Sequence, residues 1–159
     1  MILKSNIAMI PQPLNSSYAE DIRKSFAAQA MMQLIGAGLS RIEPGIVEIT
    51  LPYRTELTQQ NGYVHAGIVT AIADTACGYA AYSLMPAGSE VLSVEFKVNL
   101  LRPAKGNAFL AHAEVIKPGK TLTVVKADVF GVPEATGDQV LVASMLGTMF
   151  CIRNIASII

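Results

Sequence analysis

Residues 66–85 read AGIVTAIADTACGYAAYSLM and form the only long apolar stretch of the chain. Apolar residues cover nearly every face of this segment, and Pro86-Ala87-Gly88 follows it, so it is predicted to be a buried helix from about Ala66 to Leu84. Its many small residues and its aspartate make a membrane span the weaker interpretation. Because a helix that is apolar all round needs cover on most sides, the remaining chain is expected to wrap around it.

Segments with the patterns of β-strands flank this helix. Before it, residues 46–52 alternate apolar and polar side chains with the period of a half-buried strand. After it, four β-rich runs lie near residues 90–102, 106–117, 119–130 and 139–152, separated by turns that contain Pro and Gly. The chain is therefore expected to be an α+β protein whose curved antiparallel sheet of about five strands wraps around the central helix.

A further helix is predicted before the sheet. Ser17-Tyr18-Ala19-Glu20 has the form of a capping box, and the apolar-rich run after it ends around Gly36 and Gly38. Residues 1–16 are interpreted as an N-terminal extension of a single domain that spans residues 1–159, a length that fits one domain. Nothing at this end of the sequence has the apolar core and cleavage site of a signal peptide, so a cytoplasmic protein is expected.

The composition limits the possible partners. Twelve basic and twelve acidic residues give a formal net charge of zero, so no overall field favours nucleic acid or an anionic membrane. Only 15% of the residues are charged and 52% are hydrophobic, which predicts apolar surface buried between subunits. Cys77 and Cys151 have neither metal-ligand spacing nor the pattern of a secreted disulfide framework, so no metal is expected and Cys77 is predicted to be a buried core thiol.

Asp74 is the anomalous residue of the central helix, because a carboxylate buried without a partner costs several kcal/mol or takes up a proton. Its neighbours one turn away are Thr70 and Gly78, so this face is small and polar and could line a cleft. The solvated stripe of an ordinary amphipathic helix explains the same spacing about equally well. The helix start, residues 61–67, favours a site, because its free backbone N–H groups can bind an anion or an oxyanion.

Residues 65–76, HAGIVTAIADTA, resemble the signature of the hot-dog-fold thioesterases, specifically the phenylacetate-pathway (PaaI-like) type. That signature is His-Gly-Gly, six residues and then Ala/Val-Asp, and Asp74 lies nine residues after His65, as in that family. The resemblance covers roughly residues 40–152, including the strand at residues 92–98. It implies a hot-dog fold, an acyl-CoA partner, no cofactor, and hydrolysis of an acyl- or aryl-CoA thioester to free acid and CoA.

The resemblance also implies roles for individual residues. Asp74 would be the nucleophile or general base, and the Ala66 N–H would polarise the thioester carbonyl. Asn61 would orient that carbonyl, and Ser93 would help to place the attacking water. Three further residues in and beside the signature would lie at the substrate, namely His65, Gly67 and Thr75.

Two residues at the helix start need separate interpretation. Ala66 stands where the signature has its first glycine. This replacement retains the backbone N–H donor but adds a methyl group where the thioester approaches. A positive φ at this position would strain an alanine. His65 precedes the helix directly, and a histidine there more often fixes the turn through hydrogen bonds than acts as a base.

Cations near the predicted turns are candidates for contact with the CoA phosphates. Arg102, Lys105, Lys117 and Lys120 have side chains long enough to reach phosphate groups, although any single one is more often part of a solvated rim. Arg102 and Lys105 are the favoured pair. His112, alone within a strand, is expected to pack or to face solvent.

The geometry of a helix constrains the site independently of any resemblance. Ala66 and Asp74 are eight residues apart, which corresponds to about 12 Å along the helix axis. Both cannot contact one carbonyl carbon, because such contacts are about 3 Å long. If both act, they come from different subunits, so a homodimer with two shared sites is predicted. In the hot-dog superfamily such dimers commonly pair into homotetramers. The sequence is compatible with either a homodimer or a homotetramer.

Two other functions also remain open. A hot-dog enoyl-CoA hydratase or dehydratase has the same fold but pairs a catalytic histidine with an acid, and neither His65 nor His112 lies in such a context. A non-catalytic module that binds acyl-CoA or lipid would keep the apolar cleft and would not need Asp74. Aryl, medium-chain and long-chain acyl groups are all compatible with the sequence.

Overall fold

A computed structural model describes residues 12–133 and 138–153 of the chain. Within these ranges the helices are α1 (Tyr18–Ala28), α2 (Ala30–Ile35) and α3 (Ala66–Tyr82), with one turn of 3-10 helix at Thr55–Leu57. The strands are β1 (Gly38–Glu43), β2 (Ile46–Pro52), β3 (Glu90–Leu100), β4 (Ala108–Lys117), β5 (Leu122–Val132) and β6 (Val140–Ile152).

The described strands form one antiparallel sheet in the order β1-β2-β4-β5-β6-β3, so β1 and β3 are its edges. Helix α3 packs across β2 to β6, which places the sheet around the helix. The strand residues that face α3 alternate with residues that face away, as expected for a sheet with one buried face. Buried residues of this face include Val47, Ile49, Ala111, Ala113, Val125, Ala127 and Met145. The predicted α+β hot-dog fold is thereby confirmed.

The described sheet has six strands, one more than the five segments identified in the sequence, because β1 was not recognised. This strand pairs with β2, and its register shifts between Leu39 and Arg41. Such a bulge interrupts the two-residue period that makes a strand visible in a sequence. None of its residues is fully buried, so its hydrophobic pattern is weak as well.

The N-terminal helix differs from its prediction in two ways. Ser17 makes no side-chain capping bond, and Asn15 instead accepts the Ser17 N–H at 2.9 Å and donates to Asp21 at 2.8 Å. The capping-box prediction is therefore wrong, because an asparagine two residues earlier satisfies the helix start. The single predicted helix is also two helices, since Gln29 adopts an extended conformation between α1 and α2 and its side chain reaches Tyr79 of α3.

Helix α3 confirms the prediction of a buried central helix. Its buried positions lie on several faces and include Val69, Ile72, Ala73, Ala76, Cys77 and Ala80. Burial, with a smaller effect of the Asp74 charge, raises the pKa of the Cys77 thiol to about 12, as expected for an inert core thiol. Within the described ranges, no helix combines the length and the hydropathy needed to cross a membrane.

Candidate active site

Asp74 lies half-buried in the middle of α3, opposite the edge strand β3. The Ser93 hydroxyl of β3 donates to Asp74 Oδ1 at 2.6 Å, a short bond of the kind that a hydroxyl makes to a carboxylate. In the described part of the chain, Oδ2 has no hydrogen-bond partner. The carboxylate is thus held by one oxygen while its second oxygen stays available for chemistry.

Asp74 lines a cavity of about 270 Å³ between α3, β3 and the C-terminal end of α1. Because Gly78 has no side chain, the helix surface one turn after Asp74 is open. Thr75 also lines this cavity. Of the small polar face predicted for α3, Asp74 and Gly78 line a cleft and Thr70 does not. The structure brings three predicted site residues together there, namely Asp74, Thr75 and Ser93.

The start of α3 is fixed by hydrogen bonds around its N-cap residue, His65. The His65 side chain accepts the Gly67 N–H through Nδ1 at 2.9 Å, so the predicted structural role of this histidine is confirmed. The His65 N–H donates to the Leu57 carbonyl at 2.9 Å, and the Val64 N–H donates to the Ala104 carbonyl at 3.1 Å. The backbone that leads into the helix is therefore held on both sides.

Ala66 is the first residue of α3, and its N–H has no hydrogen-bond partner among the described residues. Such a free donor at the positive end of a helix suits a carbonyl oxygen that gains negative charge. No described residue other than glycine has a positive φ, so the alanine is not strained at this position. Ala66 and Asn61 both line a cavity of about 500 Å³ at the helix start.

Gln59, which the sequence analysis did not select, lines the same cavity as Asn61. A tight turn at Gly62, with φ 80°, brings the loop back, and the Gln59 N–H donates to the Tyr63 carbonyl at 2.9 Å. The Gln59 side-chain oxygen in turn accepts the N–H of Asn61. Both residues have a side-chain amide, so their chemistry alone would make either one a candidate for contact with the carbonyl. Only the turn places both of them in the cavity that Ala66 lines.

Arg102 connects the helix-start cavity to a second cavity of about 770 Å³, since it lines both. Its guanidinium donates to the Leu141 carbonyl at 3.0 Å, which fixes the charged end of the side chain. Lys105 lines the second cavity, whereas Lys117 and Lys120 line neither. The structure thus places Arg102 at the helix-start cavity and Lys105 at the second cavity, which Arg102 also lines.

The two groups of predicted catalytic residues stay apart within one chain. Asp74 and Ser93 line one cavity, Ala66 and Asn61 line another, and the two cavities have no lining residue in common. His65 and Gly67 line a third hollow beside Met31, Glu56 and Ile68, so the structure does not bring them to either cavity. Within the described chain, Asp74 with Ser93 and Ala66 with Asn61 therefore do not form one site.

His112 lies on the face of the sheet that points away from α3. Its Nδ1 is 2.8 Å from Glu48 Oε1, and Arg41 contacts the same carboxylate oxygen at 3.4 Å. This histidine and its acid line none of the cavities described above. The pair therefore offers no support for a hydratase site.

Comparisons with known proteins agree on one family. A family model described as "Thioesterase superfamily" matches residues 61–137. A thioesterase family protein of known structure from Silicibacter pomeroyi is 47% identical, with a TM-score of 0.82 over 85% of this chain and 98% of that chain. A protein of Halobacterium salinarum, provisionally named an esterase, is 30% identical over 79% of this chain and 80% of its own length.

The similarity to the PaaI protein from the phenylacetic acid degradation operon of E. coli is one of fold alone. The two chains are 21% identical, with a TM-score of 0.76 over 87% of this chain and 96% of that chain.

Proposed function

Since the chain belongs to the thioesterase superfamily, we propose that it hydrolyses acyl- or aryl-CoA thioesters to a free acid and CoA, as a cytoplasmic enzyme of the phenylacetate-pathway (PaaI-like) type. The observation that carries this proposal is the Asp74 carboxylate, which lines a cavity and accepts the Ser93 hydroxyl through Oδ1, while Oδ2 has no partner in the described chain. Thioester hydrolysis needs a base beside the carbonyl and a donor on its oxygen, and the chain has a candidate for each.

In the proposed reaction, Asp74 Oδ2 takes a proton from a water molecule whose oxygen attacks the thioester carbon. The Ser93 hydroxyl holds Oδ1 and orients the carboxylate toward that water. The carbonyl oxygen becomes an oxyanion and accepts the Ala66 N–H of the partner subunit. Collapse of this intermediate breaks the carbon–sulfur bond, and the departing CoA thiolate takes up the proton from Asp74.

We further propose that the active unit is a dimer with two such sites, in which Asp74 of one subunit faces the helix start of the other. The distance of about 12 Å along α3 supports this arrangement, because one chain cannot apply both groups to one carbonyl. The exposed edge strand β3, which carries Ser93, is free to pair in the described chain. An unpaired edge with apolar side chains, such as Leu92, Val94 and Phe96, favours association.

The CoA moiety is assigned to the cavity lined by Arg102 and Lys105. The thioester would lie at the Ala66 end of the connected cavities, so the nucleotide would extend past Arg102 toward Lys105. A guanidinium and an ammonium group suit phosphate oxygens in this position. Gln59 and Asn61, which line the cavity at Ala66, would contact the thioester carbonyl or the part of the substrate next to it.

The test is thiol release from a panel of acyl-CoAs by the wild type and by Asp74→Asn. Because the substitution removes the base and retains the shape of the side chain, kcat is expected to fall by about 10²–10⁴-fold. Asp128→Asn is the matched control, since Asp128 also accepts a serine hydroxyl, from Ser144 at 2.6 Å, but lies on the opposite face of the sheet. The control should keep wild-type activity.

Two results would contradict the proposal. Binding of acyl-CoA without thiol release by the wild-type protein would indicate a non-catalytic binding module. Formation of a 3-hydroxyacyl product from an enoyl-CoA, again without free thiol, would indicate a hydratase.

A further inference from the structure

A hydrogen-bonded cluster of three polar side chains lines the Asp74 cavity, with Ser25 at its solvent-exposed side. Gln29 Nε2 donates to the Tyr79 hydroxyl at 2.9 Å, and that hydroxyl donates to Ser25 Oγ at 3.0 Å. The Phe26 ring packs against Tyr79 with a centroid distance of 6.1 Å, and Tyr79 itself is only 3% exposed. All three members of the Ser25–Gln29–Tyr79 cluster line the cavity.

This cluster has hydrogen-bonding capacity left over. The Tyr79 hydrogen is used on Ser25, so the Ser25 hydroxyl can donate its own hydrogen to a ligand. The Gln29 side-chain oxygen has no partner in residues 12–133 and 138–153, so it can accept. One donor and one acceptor beside each other match a hydroxyl group, which both donates and accepts.

The space between Asp74 and the cluster fits the path of an acyl group. Asp74 and Tyr79 are separated by five residues, or about 7.5 Å along α3. Gly78 lies between them, and a methyl group added there would meet nothing closer than Val91 Cγ1 at 3.9 Å. The cavity of about 270 Å³ leaves room for a short acyl chain or a single ring.

The charge at this end of the cavity excludes one kind of polar acyl group. Glu90 lines the cavity, and its charge contributes to the raised pKa of Tyr79, of which burial is the main cause. A carboxylate at the far end of the acyl group would be repelled by the Glu90 carboxylate. A neutral hydroxyl avoids this repulsion and still finds two partners.

We propose that Ser25 and Gln29 bind a hydroxyl at the far end of the acyl group, so that the preferred substrates are short thioesters with a terminal hydroxyl. Tyr79 is a positioning residue in this arrangement, since it holds both side chains in place. The inference rests on the proposed function, which places the thioester carbonyl at Asp74.

The experiment compares two thioesters of equal size, ω-hydroxyhexanoyl-CoA and heptanoyl-CoA, which differ by a hydroxyl in place of a methyl group. The wild type is expected to have a kcat/KM about tenfold or more higher for the hydroxyl substrate. Ser25→Ala should bring the ratio of the two kcat/KM values close to one, and Tyr79→Phe should also lower it. Ser16→Ala, an exposed serine just before α1, is the matched control and should keep the wild-type ratio.

Binding of the corresponding thioether analogues, which cannot be hydrolysed, separates this inference from the proposed function. A tighter Kd for the hydroxyl analogue that Ser25→Ala abolishes would support the cluster even if no thiol were released from any thioester. Equal Kd values for the hydroxyl and methyl analogues in the wild type would overturn the inference and leave hydrolysis untouched. Tighter binding of an ω-carboxy analogue than of the hydroxyl analogue would overturn it as well.

Discussion

The described part of the chain contains two aspartate–serine pairs with the same hydrogen-bond length and different surroundings. Ser93 donates to Asp74 and Ser144 donates to Asp128, each at 2.6 Å. Asp128 lies on the outer face of the sheet, where Lys126 contacts its second oxygen at 2.6 Å. Asp74 lies beside a cavity and has no cation within salt-bridge distance in the described chain.

The difference shows that the surroundings of a carboxylate, and not its hydrogen bond to serine, distinguish a candidate catalytic group. Both oxygens of Asp128 are occupied, and its neighbours are polar side chains of a solvated sheet face. Asp74 lines a cavity, has small helix neighbours, and keeps one oxygen without a partner among the described residues. A carboxylate saturated by a cation is a poor base, because its lone pairs are engaged and its charge is balanced.

The largest expected effect in addition to loss of Asp74 comes from removing the proposed oxyanion donor. Ala66→Pro deletes this N–H at the first helical position, where proline is tolerated and where His65 already has the extended conformation that precedes a proline. We expect kcat to fall by about 10²–10³-fold, as for other oxyanion-hole donors. Ala66→Ser retains the N–H and serves as the control. An unimpaired, folded Ala66→Pro protein would remove the helix start from the mechanism.

Mixing subunits tests whether the surroundings of Asp74 include a second chain. Asp74→Asn and Ala66→Pro are each inactive by expectation, but a mixed dimer would have one site with both groups intact. After random exchange about a quarter of the wild-type rate should return, because half the dimers are mixed and each has one intact site of two. The measurement is thiol release before and after exchange, with each variant mixed with itself as the control. If exchanged dimers form and activity stays at the level of the single variants, the shared site is wrong.

The smallest expected effect concerns the serines of the two pairs. Ser93→Ala removes the bond that orients Asp74, and kcat should fall by roughly tenfold, the size expected for one hydrogen bond to a charged group. Ser144→Ala removes the equivalent bond to Asp128 and should leave kcat unchanged. Steady-state kinetics of both variants, with circular dichroism to confirm folding, makes the comparison. Equal losses in the two variants would show that the bond supports the fold and not the chemistry.

Much of the candidate site follows from local sequence patterns. Asp74 is visible as a single carboxylate in an apolar helix, and Ala66 is visible because a helix start leaves N–H groups unpaired. The role of His65 in the turn follows from its position just before the helix. These predictions depend only on residues within a few turns of each other, where helix geometry fixes the relative positions.

Other features escape sequence analysis because they depend on contacts between distant segments. The break at Gln29 sends its side chain to Tyr79, fifty residues later, and no local signal marks that contact. Gln59 was missed because its position beside Ala66 depends on the turn at Gly62. Strand β1 was missed because a bulge conceals its period.

The sequence by itself determined a buried central helix with one carboxylate, and with it the separation of about 12 Å between Asp74 and Ala66, because the rise per residue of an α-helix is constant. Only the tertiary structure decided what Asp74 faces. The pairing of β3 with β6 at the sheet edge brings Ser93 to the carboxylate of Asp74. The packing of α1 and of the break before α2 brings Ser25 and Gln29 to the same cavity. Such contacts depend on how the whole chain packs, since the segments that meet are far apart in sequence.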